Sequence, residues 1–381
     1  MTVALGDGLG ALRALSDGTD AAAVLSAVAG EVGSIRLVLG WHAAPIAGLQ
    51  PDAFGEVVAL MPNGGMRAVL RTATARFVPT RLSGIGALLA GTLRPDVLIT
   101  RLVESEGRLH FGSEVSWQRA LIDSGVGVLA VVDTVAASAS AEPPVNSEQL
   151  HIAGYCDDGP VSLPDRPPLP EHDEVADRVL GFIPEGARIQ TGVGQLGAAV
   201  LRRAKVPLRL ETGLLTDSVV DLDARGLLIG EPSATYLSGS EELYAWSAGR
   251  PILRGIDYTH DLTRLARDEP FFAVNTAIEV DAYGQVNVEG VGDKVFGGIG
   301  GHPDYCAAAA MSPGGASIIA MQSRVDGRCP LVERLSRPAS TPAYDVDVIV
   351  TESGHADLRG ASWSQRRRLI TQLFNGEGGH S

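Results

Sequence analysis

Three stretches of this chain combine residue types that can do chemistry. In "RLETGLLTDSVVDL" (Arg209–Leu222), an apolar run delivers Glu211 two residues before Gly213. A carboxylate at such a strand end can attack an activated carbonyl and so split one difficult exchange into easier steps. In "IQTGVGQLGAAV", the turn Gly192-Val193-Gly194 leads straight into a helical pattern. Backbone N–H groups at a helix start bind anions, and residues without a Cβ let a ligand come close. The spacing of Gly192, Gly194 and Gly197 fits G-x-G-x-x-G, but no acidic residue follows where a ribose-binding strand would carry one, so a dinucleotide is not implied. The plain alternative is a tight βα turn. In "DVDVIVTESGHADLRG", a strand delivers Glu352, Gly354 and His355 at its carboxyl end, where open α/β sheets bind ligands. A fourth stretch, "KVFGGIGGHPDY", packs Gly297, Gly298, Gly300 and Gly301 into five residues. It reads as a cradle for phosphate or pantetheine, or else as a flexible connection.

The elements that must position these groups alternate. "SIRLVLGW", "EVVALMP", "DVLITRLV" and "GVGVLAVVD" are short apolar runs bounded by turn residues, and predict buried strands. "LSGIGALLAGT" and "SWQRALIDSG" have helical spacing and end near Gly. Residues 157–174 hold five prolines among acidic and small residues and predict an extended linker. A second series follows, with strands at "ARIQTGVG", "PLRLETG", "FFAVNTAIEV", "GQVNVEG", "ASIIAMQ" and "DVDVIVTESG", and helices at "QLGAAVLRRA" and "SWSQRRRLITQLF". Alternation of this kind predicts an α/β fold with mainly parallel sheets. The expected domains are 1–156 and 175–381, joined by the linker.

Composition narrows the function classes. The 381 residues carry a net charge of −14 and two lysines, Lys205 and Lys294, which speaks against a nucleic-acid partner. Cys156, Cys306 and Cys329 lie far apart and read as free thiols, with no metal-binding spacing. No apolar run reaches the ~20 residues of a spanning helix, so no membrane partner is expected, and a cytoplasmic location is.

Taken in order, these segments resemble the acetyl-CoA hydrolase/transferase family, which includes succinyl-CoA:acetate and 4-hydroxybutyrate CoA-transferases. "TDSVVDLDARGLL" is similar to its SDGVVDL-type segment, and "VIVTESGHADLRG" to its TEYGVADLRG-type ending. "VNTAIEVDAYGQVNVEGVGDKVFGGIGGHPDY" resembles a long, distinctive family stretch, and "FVPTRLSGIGALL" and "RPDVLITRLV" match more weakly. The resemblance covers roughly residues 75–370. It implies two tandem NagB/RpiA/CoA-transferase-like domains with a CoA-ester site in the cleft between them. It further implies acyl-CoA and a carboxylate acceptor as substrates, no permanently bound cofactor, and a homodimer. The implied mechanism is covalent: a Glu attacks the thioester to give an acyl-glutamyl anhydride, and CoA thiolate returns to form a glutamyl-CoA thioester. By the same resemblance, backbone N–H groups of Val193 and Gly354 would hold the oxyanion, and Gly192, Gly194, Gly298, Gly300 and Gly301 would line the CoA path.

One departure matters. Family members carry the nucleophile in H-[ST]-E, and anchoring on "TDSVVDL" puts Glu211 at the His and Gly213 at the nucleophile. The wider superfamily uses E-[NS]-G-aliphatic, and "ETGLL" resembles that, with Glu211 as nucleophile. Glu211 is the expected nucleophile, against a salt-bridged or solvent-facing Glu; Glu279 is the second carboxylate, with a hydrogen-bonding role. His355 replaces an aliphatic residue and could activate water, with an ordinary pKa near 6.5. Its alternative is a hydrogen-bonded loop His. His260 and His302 have no ligand spacing. Arg202, Arg203, Lys205 and Lys294 are candidates for CoA phosphates, or else surface charges.

Overall fold

A computed structural model describes residues 1–8 and 12–376. Chain contacts group into two units. The first comprises Met1–Leu163, Ser233–Thr259 and Phe296–Gly298; the second comprises Pro164–Pro232, His260–Val295 and Ile299–Ser381. The expected division into 1–156 and 175–381 therefore differs from the contact grouping in one respect above all: residues 233–259 pack with the first unit. Helix α4 (Pro170–Leu180) also begins inside the expected linker. Proline suits the first turn of a helix, where its missing N–H would have no partner.

The first unit is built on strands β1 (Thr2–Leu5), β2 (Arg36–Leu39), β3 (Glu56–Ala59), β4 (Ala75–Phe77), β5 (Val97–Ser105), β6 (Arg108–His110), β7 (Gly127–Asp133) and β8 (Leu150–Cys156). Their order is β4-β3-β2-β1-β5-β7-β8, parallel throughout, with β6 folded back antiparallel on β5. Helices α1 (Ala21–Val32), α2 (Leu82–Ala90) and α3 (Gln118–Asp123) connect these strands. The core runs through Val3, Leu5, Leu37, Leu39, Val57 and Ala59, apolar positions of β1, β2 and β3. β1, α1 and β8 were not predicted. β1 is an apolar run of only four residues, too short to stand out, and β8 leaves Ile152 and Tyr155 exposed, so it lacks the apolar signature of a buried strand.

The second unit contains β9 (Arg188–Thr191), β10 (Arg209–Leu210), β11 (Phe271–Asn275), β12 (Ala316–Ala320), β13 (Val348–Thr351) and β14 (Gly354–Asp357). The order is β10-β9-β11-β12-β13-β14, parallel except for the final hairpin pair. Around this sheet lie α5 (Gln195–Arg203), α6 (Ser218–Ala224), α9 (Leu262–Ala266), α10 (His302–Met311) and α11 (Trp363–Phe374); α7 (Glu241–Ser247) and α8 (Ile256–Thr259) belong to the first unit. Two differences from expectation bear on function. "FFAVNTAIEV" is one strand to Asn275 and a second short one from Glu279. "GHPDY" is not loop, because α10 starts at His302 with Pro303 in its first turn.

Candidate functional site

The turn after β9 is shaped by backbone proximity. Gly192 N donates to Val274 O at 2.7 Å, and Gly194 N-caps α5 with φ 120°. A Cβ on Gly197 would stand 2.0 Å from Gly192 O, so the helix can meet its own turn this closely only with glycine there. Val193 at the apex is 66% exposed. The turn thus opens the N-terminus of a nine-residue helix to solvent at the carboxyl end of a parallel sheet, an anion-favouring position.

Glu211 follows β10, and its N–H continues the ladder to Ile189 O at 3.0 Å. Its side chain is held from two sides. Arg188 Nε donates to Oε1 at 2.7 Å, and Arg264 Nη1 donates to Oε2. Arg188 is itself fixed by the carbonyls of Leu265, Arg267 and Glu269 and lies over the Phe271 ring. Burial opposes ionisation of Glu211, but the Arg188 hydrogen bond and the charges of Arg264 and Arg188 outweigh it and hold the carboxyl below its usual range. Glu211 is thus ion-paired with both Arg188 and Arg264.

Position 213 faces a different environment. A Cβ there would sit 3.3 Å from His260 Nε2 and 3.5 Å from the Tyr305 hydroxyl. His260 and Tyr305 stack at 4.7 Å between ring centroids. Burial and then Arg264 pull the His260 pKa down to about 3, so this ring is neutral and a weak base at neutral pH. Gly301 caps α10 against the same ring; a Cβ would fall 2.4 Å from His260 Nε2. Gly300 adopts φ 65° beside it. Gly298 groups with the first unit, where its N–H donates to Pro62 O.

Gly354 and His355 lie on β14. Val193 follows β9, four strand intervals away, on the order of 19 Å, so the two proposed oxyanion donors do not converge on one oxygen. His355 pairs with Val350 and stacks edge-on against Phe182 at 5.1 Å. Glu211 lies beyond the opposite edge strand, five intervals away at roughly 24 Å, so the two cannot serve one thioester. Glu279 is buried and accepts from Asn287 Nδ2 (2.8 Å), Ser336 N (2.9 Å) and Ser336 Oγ (3.0 Å), a hydrogen-bonding role. His302 Nε2 donates to Thr276 O at 3.1 Å, and its Nδ1 is hydrogen-bonded to Thr341 Oγ1 at 2.7 Å, inside the fold. Arg202 and Arg203 pair with Asp173 and Asp177 of α4.

Two groups were not foreseen. Gln190 and Asn275 exchange amide hydrogen bonds at 3.0 and 2.9 Å beneath α10, at the ends of β9 and β11. In the first unit, Asp7 follows β1 and is 1% exposed. It accepts from Trp41 N (3.0 Å), Ser116 Oγ (2.8 Å) and the Tyr236 hydroxyl (2.6 Å). Burial lifts its pKa to about 7 against the lowering by Tyr236, Ser116 and Trp41. A Cβ on Gly40 would fall 1.7 Å from Asp7 Oδ1 and one on Gly8 would fall 2.7 Å from Glu114. The signal available in sequence was "LGDG", a carboxylate between glycines after an apolar run.

Residues 239–374 match the family model described as acetyl-CoA hydrolase/transferase C-terminal domain. The 4-hydroxybutyrate coenzyme A transferase of Clostridium kluyveri is 28% identical over 216 residues, which is 52% of this chain and 50% of that protein. The succinyl-CoA:cyclohexane-1-carboxylate CoA transferase of Geobacter metallireducens is 26% identical over 358 residues, 86% of this chain and 82% of that one. The first of these matches spans half the relative's length. RipA from Yersinia pestis superposes with a TM-score of 0.86 at 22% identity, covering 98% of this chain and 90% of that chain. At that identity the likeness shows the α/β fold.

Proposed function

We propose that this chain, whose residues 239–374 match the acetyl-CoA hydrolase/transferase C-terminal domain model, binds a small acyl-CoA thioester and transfers or hydrolyses its acyl group. The observation that carries this reading is the Gly192–Gly194 turn, which presents a helix N-terminus beside the ends of β10 and β11. Donors fixed there favour the negative oxygen that develops when a thioester carbonyl is attacked. Acyl-CoA and a carboxylate acceptor are the small-molecule partners of this reading, and a homodimer is its expected assembly.

Two routes lead from such a complex. In the first, Glu211 attacks and carries the acyl group. In the second, the acceptor carboxylate or water attacks directly. With a carboxylate acceptor, the carbon–sulfur bond breaks, a mixed anhydride forms and CoA thiolate leaves; thiolate then attacks the other carbonyl and releases the original acid. The clamp on Glu211 favours the second route, since both carboxylate oxygens already receive guanidinium hydrogen bonds. Each bond lowers the carboxylate's basicity and with it its nucleophilicity. Gly213 adds no carboxylate of its own.

The test is incubation with acetyl-, propionyl- and butyryl-CoA, with and without acetate, following thioester loss and exchange. Turnover of any of them supports the reading; neither turnover nor CoA binding overturns it. Glu211→Gln then separates the routes, because a covalent role requires complete loss of turnover in protein that remains folded.

A further inference from the structure

On the surface of the second unit three aromatic rings touch one another in the open. Trp363, in the first turn of α11, meets Tyr283 edge-on at 6.0 Å and Tyr344 edge-on at 5.7 Å between ring centroids. Tyr344 is 77% exposed, Trp363 48% and Tyr283 43%. A contiguous cluster of exposed aromatic rings marks an interaction surface.

The cluster is fixed in place by one side chain. Arg366, a turn along α11, donates from Nε to Tyr283 O (3.2 Å) and from Nη2 to Ala343 O (2.6 Å) and Val346 O (2.9 Å). Its guanidinium also lies 5.7 Å from the centre of the Trp363 ring. Arg366 thus ties together the three segments that carry the rings. A platform held in this way loses little conformational freedom when it is covered, and Trp, Tyr and Arg are the residue types that carry most binding energy at protein interfaces.

Charge and shape select the occupant. Arg367 lies one turn from Trp363 on the same helix, Arg368 follows it, and both are exposed. Two copies of this face would repel each other, whereas an acidic segment is attracted to it. The chain, with its net charge of −14, carries such a segment. Residues 164–174 hold four prolines and four carboxylates against one arginine. Pro164, Pro167, Leu169, Pro170, Glu171 and Glu174 are exposed. Leu169, with φ −85° and ψ 159°, has polyproline II geometry. The stretch is anchored as well: Asp165 N donates to Asp217 Oδ2 (3.0 Å), and Gln195 Nε2 donates to Pro167 O (2.7 Å). Extended proline-rich segments dock on aromatic surfaces because their backbone already has the bound form.

We propose that the Tyr283–Trp363–Tyr344 platform receives the acidic, proline-rich segment 164–174 of a second copy, each copy supplying one platform and one segment. The contact concerns assembly and not thioester chemistry, so it can fail without the acyl-CoA reading and stand without it.

Sedimentation velocity on the full chain across micromolar concentrations should show a dimer. Trp363→Ala and Tyr344→Ser should each raise its dissociation constant about tenfold or more, the scale of a hot-spot truncation, with circular dichroism unchanged. Should Trp363→Ala not fold, Tyr344→Ser, at the most exposed of the three rings, decides. A peptide of residues 164–174 with blocked ends, added to the full chain, should dissociate the dimer. In NMR spectra it should shift one tryptophan indole resonance, the one missing from Trp363→Phe. The same peptide with its four prolines replaced by alanine should do neither. A monomer at every concentration, a dimer unchanged in Tyr344→Ser, or equal action of the two peptides would each overturn the proposal.

Discussion

Asp7 and Glu211 occupy equivalent places in two sheets, each just past the carboxyl end of a parallel strand, and they are held in opposite ways. Asp7 is surrounded by hydroxyls and a backbone N–H, none of them charged, and burial lifts its pKa to about 7. Glu211 is gripped by two guanidinium groups and held below the ordinary carboxylate range. A strand-end carboxylate is therefore not a chemical type. Burial among neutral donors leaves it able to exchange a proton near neutral pH, whereas a pair of arginines fixes it as an anion and lowers its basicity and nucleophilicity.

The largest expected effect comes from removing half of the clamp. Arg188→Met leaves Glu211 half-buried beside one cation and removes the contacts to three carbonyls, so it should cost the second unit about 3–5 kcal/mol. Thermal or urea unfolding measures this; a loss under 1 kcal/mol would mean the clamp is not structural.

Next is the pH dependence, where the two carboxylates have opposite signs. The folded pKa of Asp7, about 7, lies above its unfolded value of 3.8. Its contribution to stability is fully present below pH 3.8 and is lost as pH rises through 7. Between pH 5 and 7 that loss is about 2–3 kcal/mol. Glu211 has a lowered folded pKa, so its contribution is present above its unfolded value and lost as pH falls through the folded one. Asp7→Asn should flatten the decline between pH 5 and 8 in the first unit's unfolding; an unchanged profile would show that Asp7 does not titrate there.

A smaller effect should follow Gly197→Ala. The new Cβ must displace the Gly192 carbonyl from 2.0 Å, at a cost of about 1–3 kcal/mol, and should weaken acyl-CoA binding by moving the turn. Unchanged affinity would remove the turn from the thioester site. Smallest of all, Arg203→Ala breaks an exposed pair with Asp177 and should leave both stability and acyl-CoA affinity unchanged. A marked loss of affinity would restore Arg203 as a phosphate contact.

Strand and helix positions were legible wherever burial imposed a period. The runs around Leu37, Val57, Leu98 and Val128 became β2, β3, β5 and β7, and "QLGAAVLRRA" became α5. α10 was hidden by its own composition: four alanines and an N-terminal proline give no amphipathic stripe, because the helix is buried nearly all round. The site was legible in part. Gly192, Val193 and Gly194 form the open turn that their spacing suggested. Gly354 and His355 looked like neighbours of that turn because each ends a strand, but sequence does not reveal strand order, and β14 lies four strands from β9. Nor does a strand-end Glu reveal its partners. Arg188 is 23 residues from Glu211 and Arg264 is 53 residues from it, so the clamp exists only in the fold. Asp7 was missed because its donors come from positions 41, 116 and 236.

The central claim is that Glu211 is a clamped structural ion and does not carry the acyl group or CoA. Incubation of the protein with acyl-CoA, borohydride reduction and intact-mass analysis with peptide mapping test it directly. The predicted result is an unmodified Glu211 peptide while acyl-CoA is bound or consumed. A CoA thioester on Glu211, or its reduced alcohol, would contradict the account.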